Sequence, residues 1–147
     1  MARRPRSFYE GLSFRPPPAV AAAARRALTR RAQQPPSSRG MTPVGLARAR
    51  QLLHRQQLSP ATVDRMVNYF ARHAVDKQGA SWSAYGKGRQ AWDGWGGDPG
   101  RRWATALARR MDAAERRTNT APPRTAQQRA AEQRTAQQRQ RRYRPAG

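Results

Sequence analysis

Two histidines, His54 and His73, and the scattered carboxylates Asp64, Asp76, Asp93 and Asp98 are the groups from which this 147-residue chain would have to build acid–base or metal chemistry. The histidines stand 19 positions apart on separate predicted helices. That spacing matches neither a zinc site nor a two-histidine, one-carboxylate site, so no metal or cofactor is expected. The carboxylates form no acid–base pair, and Asp98, directly before Pro99, reads as a helix cap. The absence of cysteine removes a thiolate nucleophile, a thiolate metal site and any disulfide, and fits a reducing compartment. Gly86-Lys87-Gly88 is too short for a phosphate loop, and residues 95–100 (WGGDPG) lack its lysine and hydroxyl. The expectation is a protein that is not an enzyme and takes no small-molecule substrate.

Binding chemistry is better supplied. Thirty cationic side chains face eight acidic ones, for a formal charge of +22, and only Lys77 and Lys87 among the cations are not arginine. A chain this cationic repels itself and calls for an anionic partner. Nucleic acid comes first because phosphate contacts release counterions; an acidic protein or an anionic membrane surface comes behind it. Arginine also presents a planar fork to phosphate and stacks on rings, although a GC-rich genome explains the bias equally well. The longest apolar run, residues 19–24, is far too short to span a bilayer. The arginine-rich start resembles a transit peptide in composition, but the prolines at 16–18 interrupt any continuous targeting helix.

Charge and hydropathy divide the chain into three. Residues 1–40 carry nine arginines against Glu10 and read as a basic Pro/Ala/Arg-rich arm with one short helix, AVAAAARRALTRRAQ. Residues 41–116 hold nearly all the large apolar side chains and read as a small helical domain. Residues 117–147 carry eight arginines against Glu132 in the pentads TAQQR, AAEQR and TAQQR, and read as a low-complexity tail. A five-residue period winds arginines around a helix rather than along one side, so the tail is expected to be disordered when free and helical when bound.

The fold expected is all-α, with about three main helices and a Trp-rich closing loop. Thr42-Pro43 and Ser59-Pro60 both pair a capping hydroxyl with a proline at the first helical position. Val44, Leu46, Ala49, Leu52 and Leu53 form an imperfect stripe on the first helix. Val63, Met66, Val67, Phe70 and Ala74 form a clean one on the second. The third, about residues 100–117, carries Trp103, Leu107 and Met111 and should pack on the second.

All four tryptophans fall within residues 81–104, SWSAYGKGRQAWDGWGGDPGRRWA. They can stack on bases beside Arg89, Arg101 and Arg102, or form a buried aromatic cluster with arginine stems at its edge. The second reading is preferred, with Phe70, Trp82, Trp92, Trp95 and Trp103 as the cluster. The short QQLSP connection also invites a helix-turn-helix reading. On its second helix, however, only Arg65, Asn68 and Arg72 offer base or phosphate contacts, and Asp64 has the wrong sign, so ordinary hairpin packing fits better. Candidate binding arginines are therefore Arg25, Arg26, Arg30 and Arg31 in the arm, Arg65, Arg72, Arg89, Arg101 and Arg102 in the domain, and Arg129, Arg134, Arg139, Arg141 and Arg142 in the tail.

The runs GMTPVGLARARQL, LSPATVDRMVNYFARHAVDKQG and AYGKGRQAWDGWGGDPGRRWA, preceded by PPPAVAAAARRAL, resemble a small basic domain that recurs in proteins of tailed-phage genomes. The likeness covers roughly residues 16–111, and FARH followed by AW, WGGD and WA carries its specificity. The family motif has apolar residues where this chain has Asp93 and Gly94, which implies a weaker third layer. The resemblance implies a virion or DNA-associated role and supplies no catalytic residue. It leads to an expected non-enzymatic virion protein, a minor capsid or head-associated component, whose arginine-rich arms bind packaged double-stranded DNA or neighbouring capsid proteins. It would pass through the host cytoplasm during assembly. The alternative is an intracellular phage nucleic-acid-binding protein outside the particle; a ribosome-associated protein fits the composition but not the resemblance.

Overall fold

The structure, a computed structural model, describes residues 2–120 and 125–142. The described residues form helices and turns without a strand: α1 (Pro18–Gln33), α2 (Pro43–Leu53), α3 (Pro60–His73), α4 (Lys87–Gly94), α5 (Gly97–Thr120) and α6 (Ala126–Arg142). The chain divides into two compact units, Met1–Ala114 and Glu115–Gly147.

In the first unit the helix starts follow the local chemistry. Thr42 Oγ1 accepts from the Gly45 amide at 3.1 Å and Ser59 Oγ from the Thr62 amide at 3.1 Å, with Pro43 and Pro60 at the first helical positions. Val63, Met66 and Phe70 of α3 are buried, together with Ala49 and Leu52 of α2 and Ala104, Leu107 and Met111 of α5. Val44 departs from its expected stripe and stands 60% exposed.

The largest difference from the sequence reading concerns residues 2–40. They were expected as an arm, yet Tyr9, Phe14, Val20 and Ala24 join the core cluster, and α1 packs on both α2 and α4. The run of alanines explains why: Ala23, Ala24 and Ala27 are fully buried, and their small side chains let helix backbones approach closely where larger ones would stand off. The extended lead-in is tied down as well. The Leu58 amide donates to the Phe14 carbonyl at 2.9 Å, and Arg55 Nε donates to the Pro16 carbonyl at 2.8 Å. Arg3 Nε and Nη2 grip both oxygens of Asp64 at 2.8 and 3.0 Å, while its Nη1 reaches Asp112 at 2.7 Å. These carboxylates raise the Arg3 pKa above its ordinary value, the Asp64 hydrogen bond contributing most.

A second difference lies in the Trp-rich stretch, where α4 and α5 replace most of the expected closing loop. They meet at Trp95-Gly96, where Gly96 has φ 116° and a side chain would come within 2.9 Å of Val20 Cγ1 and 3.0 Å of the Gly100 backbone. Only glycine gives both the left-handed turn and the close approach. Gln90 of α4, 1% exposed, fixes the α1–α2 linker by accepting from the Gly40 amide at 2.8 Å and donating to the Ser38 carbonyl, and it also donates to the Tyr85 carbonyl just before α4.

The second unit contains α6, all of whose side chains are exposed. Its start carries a reciprocal cap unnoticed in the sequence: the Gln128 amide donates to Thr125 Oγ1 at 3.1 Å and the Thr125 amide to Gln128 Oε1 at 3.0 Å. Alanine, glutamine and arginine then favour continuing the helix. Of the expected low-complexity tail, residues 121–124 and 143–147 lie outside the described residues.

Candidate interaction surface

Tyr69 of α3 organises the aromatic cluster. It stacks on Trp95 with ring centroids 4.6 Å apart and on His73 at 4.5 Å, and meets Phe70 edge-on at 5.4 Å. Phe70 and Trp82 both meet Trp92 in T-shaped pairs, at 4.8 and 5.9 Å. Trp92 is only 1% exposed, while Trp82, Trp95 and Trp103 are half-buried against the core. The Trp92 indole donates to Asp98 Oδ1 at 3.0 Å, which also accepts from Lys77 Nζ at 2.6 Å. Asp98 therefore serves as an anchor inside the first turn of α5 rather than as its cap. The Lys77 hydrogen bond, more than that of Trp92, holds its carboxyl below the usual range against the opposing effect of burial.

Cations sit over the rings, as the sequence suggested only in outline. Lys77 Nζ lies 4.8 Å from the Trp92 centroid, Arg101 Cζ 5.8 Å from it, and Arg89 Cζ 4.5 Å from that of Tyr85. Arg30 also lies near Tyr85 and donates to the Ala84 carbonyl, and Arg31 donates to Gly40 O at 2.9 Å. Arg30 and Arg31 thus help tie α1 to its neighbours. Tyr85 in turn donates to the buried carboxylate of Asp93, and burial foremost, with this bond, pushes the phenol pKa up. The polar residue at Asp93 is therefore internally partnered.

Of the expected binding arginines, Arg26 and Arg89 line one small pocket beside Trp92, over whose ring Arg101 also lies. Arg25 and Arg26 are exposed on α1, and Arg101 and Arg102 on the first turns of α5. Arg129, Arg134, Arg139, Arg141 and Arg142 are exposed around α6, described separately as part of the second unit. Arg65 and Arg72 do come together, with Arg39 and Lys87, around a cleft of about 630 Å³ whose lining also includes Met41, Val44, Tyr69 and Trp95. No Asp or Glu is among the residues lining this cleft.

Sequence reasoning missed Arg39, Lys87 and Met41 at the cleft, because they come from a linker and a helix start. It also missed Arg48. This side chain is 7% exposed, its guanidinium lies over the Trp95 ring at 5.3 Å, and its Nη1 donates to Gln51 Oε1. Its Nε and the Tyr69 hydroxyl are buried with no hydrogen-bond partner. Burial and, second, the nearby Arg65 charge depress the Arg48 pKa. Burial likewise raises that of Tyr69. A stripe of alternating arginines, Arg48 and Arg50, gave no sign of which one turned inward.

Among the described residues no group of three His, Asp or Glu side chains assembles that would hold a metal, and no helix is long and apolar enough to cross a membrane. No protein-family model matches the chain, and neither a characterised protein nor a solved structure shows significant similarity to it.

Proposed function

We propose that the protein is a non-enzymatic structural component of a tailed-phage particle, a minor capsid or head-associated protein. In this reading its exposed arginines bridge the shell or its neighbours to phosphates of packaged DNA. The observation that carries the proposal is the excess of solvent-facing arginine at a net charge of +22, on α1, on α5 and around α6. Arginines distributed around a helix suit a polyanion met from several sides and read no base sequence. The tailed-phage resemblance of residues 16–111 gives the setting.

Two measurements test it. Quantitative mass spectrometry of nuclease-treated, gradient-purified particles should find the chain at a simple ratio to the major shell protein; its absence would overturn the virion role. Deleting residues 115–147 should lower the slope of log binding constant against log salt for duplex DNA by several units. An unchanged slope would rule out the tail as the phosphate-binding element.

One arrangement favours the second reading, an intracellular nucleic-acid-binding protein outside the particle. Asp64, whose charge would repel phosphate, is gripped by Arg3, while Arg65, Asn68 and Arg72 remain on the cleft face of α3. That reading predicts base preference, lost when Asn68 and Arg72 are replaced.

A further inference from the structure

The cleft between α2, α3 and the start of α4 has a composition that phosphate binding does not require. Its lining carries Arg39, Arg65, Arg72 and Lys87, but also the apolar Met41, Val44, Ala91 and Trp95, and Val44 is 60% exposed. A stable fold gains nothing from holding an aliphatic side chain in water inside a ring of cations. Tyr69 and Trp95 offer a nucleobase no free face here. Tyr69 is sandwiched between Trp95 and His73, and Trp95 already carries Tyr69 and the Arg48 guanidinium over its ring. The cleft presents four cations and no carboxylate of its own, which complements an acidic partner.

We infer that this cleft docks an acidic peptide segment of a protein partner, one that carries an aliphatic anchor flanked by Asp or Glu. The anchor sits on Val44 and Met41, and the flanking carboxylates pair with Arg65, Arg72 and the other lining cations in charge-assisted hydrogen bonds. This inference stands independently of the DNA-binding role assigned to the outer arginines. It adds a partner of a different chemical class at a different surface.

The test uses the full-length protein and three probes: a short synthetic peptide with leucines flanked by glutamates, the same peptide with alanine for leucine, and a DNA duplex. Trp fluorescence and backbone amide NMR shifts report binding. The leucine peptide should move the resonances of residues 39–44 and 65–73 and bind at least about tenfold more tightly than the alanine peptide. Val44→Asp and the double variant Arg65→Glu, Arg72→Glu should each weaken it about tenfold or more, while duplex binding changes far less under Val44→Asp. Val44, Arg65 and Arg72 are exposed, so these variants are expected to fold; thermal unfolding verifies this. Equal affinity for the leucine and alanine peptides, indifference to Val44→Asp, or duplex DNA displacing the peptide and moving the same resonances would each overturn the proposal. Loss of peptide binding alongside intact DNA binding would separate this site from the outer arginines.

Discussion

The rings of Tyr69 and Trp95 lie 4.6 Å apart at 8° from parallel, so a side chain from the middle of α3 and one from the end of α4 form a single stacked pair. It extends the α3–α4 contact that Phe70 and Trp92 make in the core. Trp95→Ala removes the stack together with the platform beneath Arg48 and should lower stability by about 3 kcal/mol. Urea unfolding followed by circular dichroism measures it. Trp95→Phe should keep most of the stack and lose less.

Residues 2–15 are integral to the core in this structure. Tyr9 and Phe14 are 1% and 2% exposed, and Arg3 joins α3 to α5 through Asp64 and Asp112. Deleting residues 1–15 should therefore broaden or abolish cooperative unfolding, with a loss of several kcal/mol from the two aromatic side chains alone, about 3 kcal/mol each at full burial. A truncated protein with an unchanged melting temperature would show that this segment is a dispensable arm after all.

The two capped helix starts and the α3 stripe were legible because each depends on neighbours within a few positions. Thr42, Ser59 and the Val63, Met66, Phe70 spacing carry their own reasons. The role of residues 2–40 was not legible, because high charge and proline suggested an arm while its small buried face is mostly alanine, which has little hydropathy signal. Tyr9 and Phe14 were the available clue. The cleft was illegible for another reason: Arg39, Met41, Arg65 and Lys87 come from separate segments and share no sequence period. The Thr125 and Gln128 pair could have been read as a reciprocal cap, but the pentad repeat around it looked like low complexity.

Arg48 and Arg65 offer a substitution that should stabilise the protein. Arg48 is buried beside a like charge, and no carboxylate lines the adjoining cleft. Arg65→Glu replaces repulsion by attraction and should raise stability by about 0.5–1 kcal/mol, the range for a largely exposed pair. Differential scanning calorimetry at low and high salt would detect it, with the gain shrinking as salt rises.

Asp98 links stability to acidity. Its folded carboxyl ionises at lower pH than in the unfolded chain, chiefly through Lys77, so the contribution is complete above the ordinary carboxylate range and is lost as pH falls through the folded value. The side chain is 54% exposed, which keeps the effect below about 1 kcal/mol. Asp98→Asn should flatten the acid side of the melting-temperature profile and leave the alkaline side unchanged.

No side chain of α6 is buried, so its helicity rests on local terms alone. Exposed helices of this length are marginal in water, and a capping interaction of about 1 kcal/mol is enough to shift such an equilibrium severalfold. Thr125→Ala removes the acceptor for the Gln128 amide, and Gln128→Ala removes the acceptor for the Thr125 amide. Either change should speed amide hydrogen exchange across residues 126–142 about fivefold, as a loss near 1 kcal/mol requires. Because the two bonds close one reciprocal motif, the double variant should lose less than the sum of the singles. Strict additivity would mean that the hydroxyl and the amide act as separate caps.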